Sequence, residues 1–251
     1  MDTVLELHGV TKQYKNGRGV RDISIDIARG DIFGLIGPNG AGKTTLLKII
    51  TGLIRPDHGN VSIFRNNTTD QFEHAMQHVG CMIETADAYE YLSGYDNLKL
   101  SARFYPKLPK TRLDEVLEQV GLAPYKKERV KGLSLGMKQR LGLASVLLSK
   151  PKLVILDEPT NGLDIEGIVA FRNTIQELAY EQNVTFLISS HMMNELSLIV
   201  NRIGLMQNGR LIRIGQVNEL VKPGITLEQY IVSQLHTNKE GDHDAHRQYV
   251  K

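Results

Sequence analysis

Near its start the chain carries a stretch, Gly37-Pro38-Asn39-Gly40-Ala41-Gly42-Lys43-Thr44-Thr45, whose residue types and spacing suit the binding of a phosphate chain. It fits the pattern G-x-x-x-x-G-K-[ST], with Gly37, Gly42, Lys43 and Thr44 at the fixed positions. Small residues let backbone N–H groups curl inward into a concave anion site. A helix N-terminus behind them adds the positive end of its dipole. In that geometry the Lys43 ammonium reaches the β- and γ-phosphates of a nucleotide, and the Thr44 hydroxyl is a ligand to Mg²⁺.

Such a loop needs a strand before it and a helix after it. Ile32-Phe33-Gly34-Leu35-Ile36 is a short apolar run of the kind a buried strand presents, and Leu46, Leu47, Ile49, Ile50 and Leu53 recur at helical spacing. Strand, loop and helix in this order predict a nucleotide site rather than an ordinary glycine-rich turn. A second set of candidates lies further on. Leu153-Val154-Ile155-Leu156 is continuously apolar, as a parallel strand covered on both faces must be, and it ends in Asp157-Glu158. Phe171, Ile175, Leu178 and Ala179 follow at helical spacing, then Val184 to Ile188 reads as another buried strand that stops at Ser189-Ser190-His191. Strand, helix, strand is a βαβ unit. Groups at the carboxyl ends of its strands lie where α/β sheets bind nucleotides.

At 251 residues the chain can bury a substantial core, and 41% hydrophobic with 23% charged residues describes a globular protein. A net charge of +2 is too balanced to argue for a nucleic-acid surface, so no nucleic acid is expected as a partner. The single cysteine, Cys81, excludes an internal disulfide and is compatible with the reducing cytosol. No signal peptide is visible, and no uncharged apolar stretch approaches the roughly 18–20 residues of a membrane helix. If the protein works at a membrane, another chain must cross it.

The remaining segments are expected to frame the site. Val4, Leu5, Leu7 and Val10 suggest an opening strand, Asn16-Gly17 a turn, and Ile23, Ile25 and Ile27 a half-buried second strand. Tyr14 between them either stacks on a base or covers the sheet edge. Pro56 to Asn60 reads as a turn, Val61 to Phe64 as a short strand, and Val79 to Glu84 as a buried strand ending on a carboxylate. From about residue 86 to 150 the pattern turns helical, an insertion in which Thr111 with Asp114 resembles a capping box. Lys126, Lys127, Arg129 and Lys131 read as a solvated surface. Asn208-Gly209 signals a hairpin, and Leu227, Ile231 and Leu235 a last amphipathic helix closing a domain of residues 1–236. The polar stretch 237–251 reads as a disordered tail, in which His243, Asp244 and His246 make a poor metal site.

Taken together, these motifs resemble the ATP-binding subunit of an ABC (ATP-binding cassette) transporter, from about Val4 to Val221. The resemblance implies a P-loop NTPase (RecA-like) α/β core with an antiparallel β subdomain and an inserted α-helical subdomain. It implies ATP and Mg²⁺ as cofactors. Tyr14 then corresponds to the aromatic that stacks on adenine, Leu133-Ser134-Leu135-Gly136-Met137 to the family signature, and Asn161-Gly162-Leu163-Asp164 to the D-loop. Asp157 corresponds to the Mg²⁺-holding aspartate, Glu158 to the catalytic glutamate and His191 to the switch histidine. Ser134 and Gly136 are expected to bind the γ-phosphate held by a second copy, so complete sites imply a homodimer around two ATP. A separate transmembrane permease is the implied partner, and the cytoplasmic side of the membrane the implied location.

Two departures narrow the resemblance. Glu84 stands where the family usually has glutamine, and the signature reads Leu-Ser-Leu-Gly-Met rather than LSGGQ. Both are similar to the cassettes of bacitracin-resistance and lantibiotic-immunity exporters. Glu84 is accordingly a candidate near Mg²⁺ that couples hydrolysis to transport. The competing reading is a soluble ABC ATPase acting on nucleic acid, ribosomes or an assembly scaffold. Such proteins often carry two cassettes or a long coiled coil, whereas this chain has one cassette and no sustained heptads.

Overall fold

In the computed structural model, which describes residues 2–84, 88–191 and 197–235, the first two strands show how residue alternation makes a one-faced sheet. β1 (Thr3–Gln13) and β2 (Gly19–Ala28) pair antiparallel; Ile23, Ile25 and Ile27 turn inward while Asp22, Ser24 and Asp26 face solvent. β3 (Ile32–Ile36), buried at every position, runs through the glycine-rich loop into α1 (Lys43–Ile50). β4 (His58–Ile63) and β5 (Asn66–Asn67) return to the first sheet, which has the order β2-β1-β4-β5. After α2 (Phe72–Met76) and β6 (Val79–Met82) come three helices, α3 (Gly94–Ala102), α4 (Arg112–Gln119) and α5 (Leu135–Leu147). β7 (Leu153–Asp157), α6 (Ile165–Gln182), β8 (Thr185–Ser190), β9 (Arg202–Gln207) and β10 (Arg210–Gln216) complete the second sheet.

That sheet has the order β10-β9-β3-β8-β7-β6, parallel except for β10 at one edge. It separates two apolar cores. Ile32, Ile36, Val154, Leu156, Phe186 and Ile188 pack toward the helical side with Leu117, Leu141 and Phe171. Phe33, Leu35, Leu153, Ile155 and Leu187 pack toward the antiparallel sheet with Leu5, Ile23, Leu46 and Leu47. Successive side chains of a strand point to opposite faces, so a strand covered on both has no polar position to spare. The architecture is the α/β core, antiparallel β subdomain and inserted helical subdomain that the resemblance implies.

Several local expectations need correction. Thr111 precedes α4 but makes no cap, because its backbone is already helical; its hydroxyl instead donates to Glu115 Oε1 at 2.8 Å. The turn at 56–60 is half strand: pairing with β1 draws in His58, Gly59 and Asn60, with Asp57 anchored by Lys12 Nζ at 2.7 Å and Gln13 N at 2.8 Å. β6 stops at Met82, two residues earlier than expected, and Glu84 lies beyond it with φ +68°, a left-handed turn that leads the chain out of the sheet. The Asn208-Gly209 hairpin and helical residues 227–235 are as expected, with Leu227 and Ile231 buried. Residues 237–251 lie outside the described residues, so the tail and its His243, Asp244 and His246 carry no structural account.

Within the helical subdomain an arginine ties α4 to the end of α5. Arg112, 4% exposed, donates to the carbonyls of Leu147 (2.5 Å) and Leu148 (3.3 Å), the last acceptors of α5. Helix C-termini leave such carbonyls short of donors; Leu147 O also accepts from Lys150 N–H at 3.1 Å, but the Leu148 carbonyl depends on the guanidinium, and losing a buried charge-assisted pair is costly. Arg112→Met is expected to lower unfolding stability by about 2–3 kcal/mol, read as a lower urea midpoint. An unchanged midpoint would show that water replaces the guanidinium.

Candidate functional site

The loop after β3 owes its shape to neighbours that leave no room for a side chain. A Cβ at Gly37 would lie 2.3 Å from the Met206 carbonyl oxygen, and Gly42, at φ +101°, would press one within 2.8 Å of Val20 Cγ1. Pro38, Asn39 and Gly40 are exposed at the rim and Ala41 is buried beneath them, while Thr44 and Thr45 are half-buried in the first turn of α1. Lys43 is 5% exposed. Its Nζ donates to the carbonyls of Gly37 (2.7 Å) and Pro38 (3.3 Å) and lies 3.1 Å from Glu158 Oε1. The loop therefore holds a nearly buried cation whose partners are loop carbonyls and one carboxylate.

Glu158 begins just where β7 ends, at φ +48°, a backbone conformation that a non-glycine residue adopts at a cost. Its Oε2 lies 2.6 Å from His191 Nδ1, at the end of the neighbouring β8. Burial pushes the Glu158 carboxyl up, but the hydrogen bond from His191 and the charge of Lys43 outweigh it and hold the group below its ordinary value. An ionised carboxylate only accepts, so Nδ1 is the protonated ring nitrogen. Lys43, Glu158 and His191 thus form one charged chain across the ends of three parallel strands or their loops.

An open cleft of about 590 Å³ faces this chain, large enough for a nucleoside triphosphate. Tyr14, Gly40, Gly42, Lys43, Thr44 and Thr45 line it, with Glu158 and His191 on the opposite side. Tyr14 is 39% exposed and stands at the cleft rather than covered under the sheet edge. Asn16, Arg18 and Asn161 also line the cleft. The first two were missed in the sequence because their turn was read only as a connection. Asp157 is 5% exposed; Ser189 Oγ–H donates to its Oδ1 at 2.5 Å, while Oδ2 has no hydrogen bond among the described residues. An uncommitted carboxylate oxygen and the Thr44 hydroxyl are hard oxygen donors of the kind Mg²⁺ prefers.

Other expected residues lie apart. Ser134 caps α5, accepting from Met137 N at 3.2 Å, and Gly136 is buried with a hypothetical Cβ 3.3 Å from Gly167 Cα of α6. Neither lines the cleft of its own chain. Glu84 does not line it either. Its side chain, 65% exposed, pairs with Lys48 Nζ at 2.5 Å, one turn beyond Thr44 on α1. The hydrogen bond that Lys48 donates to Glu84, with the charges of Glu84 and Asp157, raises the Lys48 ammonium above its ordinary value despite partial desolvation. A smaller cavity of about 280 Å³, lined by Cys81, Leu98, Ser101, Leu141 and Ser145, contains no charged side chain and no group suited to phosphate.

Residues 20–161 match the family model described as ABC transporter, which covers more than half of the chain. The chain belongs to the ABC transporter family. It is 41% identical over 212 residues to the bacitracin transport ATP-binding protein BcrA of Bacillus licheniformis, covering 84% of this chain and 69% of that one. It is 39% identical over 209 residues to the lantibiotic transport ATP-binding protein SrtF of Streptococcus pyogenes, covering 83% and 89%. A solved ATP-binding subunit of an ABC transporter superposes with a TM-score of 0.81 at 28% identity, over 93% of this chain and all of that one. This ABC protein is therefore an ATP-binding subunit and an ATPase.

Proposed function

We propose that the chain powers a separate membrane permease that exports a peptide antibiotic of the bacitracin or lantibiotic type, for resistance or self-immunity. The reading rests on the relatives at 41% and 39% identity, whose names couple ATP binding to bacitracin and lantibiotic transport. No helix among the described residues is long and apolar enough to cross a membrane, so a second chain would supply the passage. Two copies, head to tail, would place Ser134 and the Gly136 amide of one over the nucleotide of the other. That arrangement accounts for a capped helix start that lies outside its own cleft.

In the proposed cycle the uncommitted backbone N–H groups at the loop's end and the start of α1, with Lys43, hold the β- and γ-phosphates of ATP, and Tyr14 stacks on the base. Thr44 and Asp157 would hold Mg²⁺, which when bound neutralises charge on the phosphates. Glu158, kept ionised, orients and deprotonates the water that attacks the γ-phosphorus. His191 fixes Glu158 and reports the γ-phosphate. Co-purification with the permease from detergent-solubilised membranes, and loss of peptide resistance on deletion, test the reading. A chain that instead co-purifies with ribosomes or nucleic acid would overturn it.

Glu84 is the proposed link between hydrolysis and transport. Its carboxylate, held by Lys48 beside the loop that bears Thr44, can respond to what occupies the cleft. Glu84→Gln is expected to leave ATP binding nearly intact while shifting the Mg²⁺ dependence of hydrolysis and lowering resistance in cells that carry the permease. Glu84→Ala should impair both more severely, since no oxygen remains. Wild-type Mg²⁺ titration, turnover and resistance in both variants would sink the idea.

A further inference from the structure

We infer that Ser189 is the positioning residue of the cleft: through one hydroxyl it aims the Asp157 carboxylate and fixes the strained backbone that presents Glu158. Ser189 is fully buried, and the register of β7 and β8 sets it directly opposite Asp157. Its Oγ–H donates to Asp157 Oδ1 at 2.5 Å. The same oxygen accepts from the Glu158 N–H at 3.0 Å, and the Ser189 carbonyl shares that N–H at 3.2 Å.

The directions of these bonds matter. A hydroxyl has one proton to give, and here it goes to Asp157 Oδ1, which leaves one oxygen of that carboxyl group committed and the other left over. A carboxylate with both oxygens uncommitted can rotate about its χ2 axis, which is broad for aspartate. The hydrogen bond removes that freedom, as outer-shell partners do for metal ligands generally. The second bond acts on the neighbouring residue. At φ +48° Glu158 is in a conformation that persists only when its surroundings over-determine it, and the Ser189 oxygens are what its amide meets. One side chain therefore couples the metal-facing aspartate to the base-bearing turn. Alanine would remove both side-chain bonds and leave only the longer carbonyl contact.

The inference rests on the proposed reading of Asp157 as the residue facing Mg²⁺, and the test separates the two. Binding of mant-ATP is measured on the full chain in excess Mg²⁺ and in EDTA, for wild type, Ser189→Ala, Ser189→Cys and Ser189→Thr. Wild type is expected to bind more tightly with Mg²⁺; the absence of any gain would overturn the Asp157 reading itself. Ser189→Ala and Ser189→Cys are expected to keep the EDTA affinity within about twofold while the Mg²⁺ needed for half-maximal gain rises about tenfold or more. Cysteine is slightly larger than serine and leaves no cavity, while its thiol is only a weak donor and acceptor, so an effect shared with alanine is not a cavity effect. Threonine, which keeps the hydroxyl, should restore the Mg²⁺ response. In steady-state hydrolysis at saturating Mg²⁺, alanine and cysteine should lower kcat and leave the ATP KM nearly unchanged, because Glu158 rather than the phosphate loop is disturbed. A wild-type Mg²⁺ response in Ser189→Ala overturns the inference. So does an equal fall in affinity with and without Mg²⁺, which would mark Ser189 as a packing residue only.

Discussion

Glu158→Gln is expected to bind ATP like the wild type, to lose about 10²–10⁴-fold of its turnover, and to elute as a dimer in ATP and Mg²⁺. The structure explains why binding should survive. Glutamine keeps one oxygen, which can accept from Lys43 in place of Oε1 (3.1 Å), while its NH2 faces His191 in place of Oε2 (2.6 Å) and requires that ring to present an acceptor nitrogen; the phosphate loop itself is untouched. What it cannot do is accept a proton from water. It also removes a negative charge that faces the incoming triphosphate, which favours the ATP-bound state. Size-exclusion chromatography of the variant with and without ATP decides the matter; a monomer at high concentration in ATP and Mg²⁺ would count against the two-copy arrangement. The same substitution carries a pH signature. The folded-state pKa of Glu158 is depressed, so the stability it contributes is complete above its unfolded value and disappears as pH falls through the folded one. Glu158→Gln should therefore flatten that part of the acid limb of a stability profile.

Lys43→Ala should abolish tight nucleotide binding rather than merely slow the reaction. Truncating one partner of a buried charge pair costs about 2–5 kcal/mol, which is at least about thirtyfold in affinity. Two further consequences follow from its surroundings. The Gly37 carbonyl loses its side-chain donor and the Pro38 carbonyl keeps only the Ala41 N–H, which loosens the loop that must present its amides to phosphate. Glu158 loses the cation that helps to oppose its desolvation, so its carboxyl should rise toward its ordinary value and proton affinity at the site should increase. Isothermal titration with ATP gives the affinity directly. An unchanged dissociation constant would remove Lys43 from the phosphate site.

Much of this was legible along the chain because the information is local. The phosphate loop, the apolar strand before it and the helix after it are contiguous, although what crowds Gly37 and Gly42 comes from Met206 and Val20, far off in the sequence. Strands buried on both faces announced themselves at Ile32–Ile36 and at residues 153–156, which are apolar throughout. Where the reading slipped, a long-range contact had intervened. His58 joined a strand because β1 offered it partners, and Thr111 failed to cap because its backbone had already turned helical.

The residue types alone, then, pointed to a nucleotide as ligand, named the candidate side chains for its phosphates, and identified the family to which the chain belongs. Tertiary structure decided how those side chains are held. Ser189 meets Asp157 across 32 residues of sequence, Glu84 meets Lys48 across 36, and Arg112 meets Leu147 across 35. Single serines, lysines and arginines carry no periodicity and fit no motif, so nothing in their spacing foretells a partner. Only the register of β7 against β8, the exit of the chain after β6 and the packing of α4 on α5 bring each pair within hydrogen-bond distance. A hydrogen bond is a condition on a few tenths of an ångström, and that condition is met by the fold as a whole.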